Sequence, residues 1–88
     1  MVSKHIPKHI LDQLTKIFDP SSATFQYAVE LLEKILRGER ITWSEIRSSK
    51  YYYPARKLRK HNILIVVKTD KSYLVINHNL LHHSWGQE

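Results

Sequence analysis

Two short apolar runs near the C-terminal end set the terms on which this chain folds. Ile63-Leu64-Ile65-Val66-Val67-Lys68 and Tyr73-Leu74-Val75-Ile76-Asn77 are separated by Thr69-Asp70-Lys71-Ser72. Both runs are rich in β-branched and aromatic residues, which favour extended backbone, and the polar spacer turns the chain back. They are therefore expected to pair as a β-hairpin. The segments ahead of them repeat their apolar residues at helical spacing. Helices followed by a hairpin make an α+β fold. At 88 residues the chain is read as one domain, residues 1–88. A chain of this size buries only about 60% of its unfolded surface, so all its elements must share one core.

Ile10, Leu11, Leu14, Ile17 and Phe18 predict a first helix over 8–18, with Pro7 suited to its first turn. Asp19-Pro20-Ser21-Ser22 ends it. A second helix is predicted from Thr24 to Arg37, with Phe25, Ala28, Val29, Leu32, Ile35 and Leu36 as its apolar stripe and Gly38 as a left-handed cap. Thr42-Trp43-Ser44-Glu45 has the spacing of a capping box, and Ile41 and Ile46 that of a hydrophobic staple. A short helix should therefore start at Trp43, for which core or edge packing is expected. A fourth helix is predicted over Tyr51–His61, with Tyr51, Ala55 and Leu58 on one face. Pro54 must lie in its first turn, because a proline further in would clash with the carbonyl four residues back. Asn62 can take the left-handed conformation that ends a helix. The tail, 78–88, carries Leu80, Leu81 and Trp85.

Charge is distributed unevenly. Residues 1–45 carry equal numbers of basic and acidic side chains, so the whole formal excess of +6 lies in 46–88. A one-sided basic surface is the usual footprint of a polyanionic partner. Arg56, Lys57 and Lys60 lie opposite the apolar face of the fourth helix, and Arg59 lies near its edge. Arg47 and Lys50 flank the turn before that helix, and Lys68 and Lys71 flank the hairpin turn. Tyr52 and Tyr53 are placed either to touch phosphates and thymine methyls or to cover the helix start.

From Ile41 to Asn77 the order of short capped helix, basic helix and hairpin resembles a winged helix-turn-helix domain. Tyr51, Ala55, Leu58, Asn62, Ile63 and Leu64 meet its pattern of apolar, small, leucine and glycine-like positions, and the helices over 8–18 and 24–37 would complete a three-helix core with one extra helix. Small winged-helix proteins of archaea and their viruses are similar in size and style. Asn62 stands where the family usually has glycine, and Pro54 is unusual in a recognition helix. The parts would be N-terminal helices over 1–40, the helix-turn-helix over 41–62, the wing over 63–77 and a tail over 78–88. The resemblance implies sequence-specific binding of double-stranded DNA by a transcriptional regulator. The fourth helix would enter the major groove, with the wing on the backbone or minor groove. The expected DNA-binding set is Arg47, Lys50, Tyr52, Tyr53, Arg56, Lys57, Arg59, Lys60, Lys68 and Lys71. Such domains commonly pair, so a homodimer is expected through helix 8–18, the tail, or both. A protein-interaction module and a non-specific architectural DNA binder stay open as alternatives.

Other functions find less support in the residues. There is no cysteine and no glycine-rich phosphate loop, so no enzyme activity and no cofactor is expected. His5 and His9, and His78 and His82 with His83 beside it, have a spacing that can chelate a metal. No carboxylate or cysteine completes either set, and no native metal is expected. The longest apolar run, Ile63–Val67, is far below the roughly 18 residues of a membrane span. A cytoplasmic protein without a membrane partner is therefore expected.

Overall fold

The computed structural model describes residues 6–77. They form four helices and one antiparallel hairpin: α1 (Lys8–Ile17), α2 (Ala23–Leu36), α3 (Trp43–Arg47), α4 (Tyr52–Lys60), β1 (Leu64–Lys68) and β2 (Ser72–Ile76). This is a small α+β domain, compatible with a winged-helix arrangement.

Several helix boundaries have a local cause. Pro7 caps α1 from just outside rather than within its first turn; its carbonyl accepts from the Ile10 and Leu11 N–H groups at 3.0 and 3.1 Å. Between α1 and α2 the Asp19 carboxylate accepts from the Ser21 N–H at 3.0 Å and from its hydroxyl at 2.8 Å. Those bonds, the backbone one first, hold the Asp19 carboxyl below its usual range. Ser22 caps α2, its hydroxyl accepting from the Phe25 N–H at 3.1 Å. The Thr42–Glu45 capping box forms in both directions at the start of α3.

Two helices end in the same way. Gly38 has φ +96°, and the Gly38 and Glu39 N–H groups reach back to the Ile35 and Lys34 carbonyls at 3.0 and 3.1 Å. Asn62 has φ +62°, and the Asn62 and Ile63 N–H groups reach the Arg59 and Leu58 carbonyls at 3.0 and 2.8 Å. Both are Schellman motifs, which satisfy carbonyls the helix itself leaves unpaired. After α4 the hydrophobic half of the motif is also present, because Leu58 and Ile63 are both fully buried. The Asn77 side chain and backbone N–H then donate to the Asn62 and Ile63 carbonyls, each at 2.8 Å. The base of the hairpin is thereby fastened to the end of α4.

The hairpin pairs Leu64 with Ile76 and Val66 with Leu74, and these residues face the core. Ile65 and Val75 form a pair on the opposite face. The sequence gives no hint of a further pairing on the outer edge of β2. There the Ile41 carbonyl accepts from the Leu74 N–H at 3.0 Å, and Thr42 bridges Tyr73. A single bridge has no periodicity to read, yet it ties the start of α3 to the hairpin.

One core joins all the elements. Ile10, Leu14, Leu31, Leu32, Ile46, Leu58, Ile63, Leu64 and Leu74 are essentially inaccessible, and among the described residues no polar or charged side chain is buried. Leu31 lies about a quarter turn from the predicted stripe of α2. It is buried because α2 is contacted by α1, α4 and β2 together, so its buried arc is wider than one stripe. Of Ile10, Leu14 and Ile17, the α1 residues offered for a dimer interface, Ile10 and Leu14 are buried in the chain's own core and Ile17 is half-buried. Leu80, Leu81 and Trp85 lie outside the described residues.

Candidate nucleic-acid interface

The site is built on α4. Pro54, Ala55 and Leu58 are buried, which turns Arg56, Arg59 and Lys60 outward. Pro54 is the third residue of the helix, within the first turn, and Tyr51 stands just before the helix as its cap. Tyr53 is 55% exposed beside Arg56 and Lys60 on the outward face. Lys57, on one flank, is half-buried with its ammonium 5.8 Å from the Phe18 ring centre. Arg59, on the other flank, lies 4.9 Å over the Trp43 ring of α3. Lys57, Arg59 and Lys60 also fall in the last turn, where the partial negative charge of the helix end favours cations.

Arg56, Lys57, Arg59 and Lys60 with Trp43 and Tyr53 line an open depression of about 640 Å³. A neighbouring depression of about 530 Å³ runs between the start of α3 and the hairpin turn, and Arg47 and Lys71 line it. Trp43 borders both, so the basic surface continues from α4 across α3 to the hairpin. The sequence predicts core or edge packing for Trp43. It is half-buried against the core, and its exposed edge is shared by both depressions. Lys68 is exposed at the end of β1, next to the turn, and lines neither.

Among the described residues none of Arg47, Arg56, Lys57, Arg59, Lys60, Lys68 and Lys71 forms an ion pair. Two acids border the α3 and hairpin part of this surface, Glu45 in the depression with Arg47 and Lys71 and Asp70 in the hairpin turn, and none lies on α4. Glu39 meets Lys34 and Arg37 at 3.8 and 3.1 Å, and the Glu45 carboxylate accepts from the Thr42 N–H. In α4 the like charges 56/59, 56/60 and 57/60 stand three or four residues apart. Each such pair costs roughly 0.2–0.5 kcal/mol in a helix. The face repels itself unless an anion is present.

Lys50 is not brought to this surface. Its ammonium stands 3.7 Å from the Glu30 carboxylate and 4.9 and 5.4 Å over the Tyr27 and Tyr51 rings. Tyr27 and Tyr51 meet edge to face at 6.2 Å. The Tyr51 hydroxyl donates to Glu30 Oε1 at 3.0 Å. Lys50 thus fastens the α3–α4 turn to α2. Partial burial, then the bond to Glu30 and its charge, raise the Tyr51 hydroxyl above its ordinary value of 10.0. A raised value means that the protonated phenol supports the fold. That support is complete at neutral pH and is lost as the pH climbs beyond about 10. Tyr51→Phe should cost between a few tenths and about 1 kcal/mol at pH 7. In urea titrations the gap from the parent protein should shrink above pH 10. A gap that stays constant to pH 11 would show that the hydroxyl does not act in this way.

Comparison of the chain with protein-family models, curated proteins and solved structures finds no match. The functional reading therefore rests on the residues and their geometry. Among the described residues no group of three or more His, Cys, Asp or Glu is placed to hold a metal ion. His5, His78, His82 and His83 lie outside the described residues. No helix among the described residues is long and apolar enough to cross a membrane.

Proposed function

We propose that this chain is a sequence-specific binder of double-stranded DNA, acting in the cytoplasm as a transcriptional regulator of winged-helix type. The observation that carries the reading is the outward face of α4. It holds four cations and no acid, none of them in an ion pair among the described residues, in a helix whose other side is core. Phosphates would relieve that repulsion, and counterion release would supply most of the affinity. An α-helix fits the major groove of B-DNA. With α4 there, Arg47 and the hairpin turn with Lys68 and Lys71 are suited to the flanking backbone or minor groove. Arg56 and Tyr53, at the middle of the face, are the candidates for base contact.

Selection of bound duplexes from a random pool tests this reading. An enriched motif is the expected result. Salt-sensitive binding with no enrichment would instead favour an architectural DNA binder, and absence of binding would favour a protein-interaction module. A homodimer through α1, the tail with Leu80, Leu81 and Trp85, or both is part of the proposal. A palindromic motif would support two copies, and an asymmetric one would support one.

A further inference from the structure

Three of the four cations of α4 lie over aromatic rings. The Arg56 guanidinium lies 5.7 Å over the Tyr52 ring, and the Arg59 guanidinium 4.9 Å over Trp43. The two rings meet each other at 5.8 Å with a 49° tilt. Arg56, Tyr52, Trp43 and Arg59 thus form one continuous run across the junction of α3 and α4. Lys57 has rings of its own, Tyr53 at 5.7 Å and Phe18 at 5.8 Å. Two of these pairings, Tyr52 with Arg56 and Tyr53 with Lys57, are separated by four residues, which places them side by side on a helix.

This arrangement bears on what the surface can recognise. Unpaired bases are bound largely by stacking on aromatic faces. Here Trp43, Tyr52 and Tyr53 each have one of the protein's own cations over the ring. A guanidinium lying on a ring still offers its in-plane N–H groups outward, and it gives up less side-chain freedom when those groups bind. Such a fork matches paired acceptors: two phosphate oxygens, or O6 and N7 of guanine. An ammonium has the same charge but no fork.

We infer that Trp43 and Tyr52 are positioning residues that hold Arg59 and Arg56 for paired acceptors on a duplex, so that the site favours a duplex over a single strand and needs arginine rather than mere charge. The inference rests on the duplex-binding reading above.

The test titrates a selected duplex, and the single strand of the same sequence, into the full chain and its variants. The parent chain should prefer the duplex. Arg56→Lys with Arg59→Lys keeps every charge and alters only exposed positions, yet should weaken duplex binding about tenfold with an unchanged salt slope. Trp43→Leu should produce a similar loss, and Trp43→Phe, which keeps a ring face, should restore most of it. Should Trp43→Leu fail to fold, the lysine pair and the phenylalanine variant still decide. Duplex affinity unchanged in the lysine pair, or tighter binding of the single strand, would overturn the inference and leave nucleic-acid binding standing. No binding of any duplex by the parent chain would overturn the functional reading and this inference together.

Discussion

Replacing Arg56, Lys57 and Lys60 together with alanine should lower duplex affinity about a hundredfold near physiological salt and leave the fold intact. Each lost phosphate contact removes about 0.9 from the slope of log affinity against log salt, and at such salt that is roughly fivefold in affinity. The fold should survive because Arg56 and Lys60 are exposed and only Lys57 is partly covered. Alanine is also the better helix former, and the substitutions remove like-charge pairs along α4. These gains are offset by the lost ring contacts of Arg56 and Lys57 and the lost charge at the helix end, so thermal stability should change little. Circular dichroism and fluorescence anisotropy with a labelled duplex measure the two effects separately. An intact variant that binds like its parent would remove α4 from the interface.

Leu31→Ala carries the largest expected cost to stability. Leu31 is fully buried where α2 meets the rest of the core. Truncating a buried leucine loses its transfer free energy and leaves a cavity, together about 2–5 kcal/mol. Domains are stable by only about 5–15 kcal/mol, and a chain of this size falls in the lower part of that range. In a domain this small each kcal/mol moves the melting temperature by roughly 4–8 °C, so a drop on the order of 20 °C is expected. Ile65→Ala on the outer face of the hairpin, where the parent residue is 38% exposed, makes the contrast. It should shift stability far less. A Leu31→Ala loss under about 1 kcal/mol would mean that this part of α2 is not core.

Much of this fold is legible in the sequence because its signals are local. The capping box at Thr42 and Glu45, the left-handed positions at Gly38 and Asn62, and the turn between the strands each follow from a few adjacent residues. Leu31 and the Thr42–Tyr73 bridge are not legible, because both depend on neighbours distant along the chain. The site divides in the same way. The outward cations of α4 follow from its apolar stripe, and Tyr52 and Tyr53 four residues ahead of Arg56 and Lys57 foreshadow their ring contacts. That Trp43 joins the basic surface while Lys50 turns to Glu30 follows only from how α2, α3 and α4 meet.

The proposal that an unneutralised basic face exists for duplex phosphates is tested most directly by the salt dependence of duplex binding. With the four cations of α4, Arg47, Lys68 and Lys71 all engaged, log affinity against log salt should be linear with a slope of about −6. The Arg56, Lys57 and Lys60 triple variant should be shallower by about 2.7. Parent and variant slopes that coincide, or parent affinity indifferent to salt, would contradict the account.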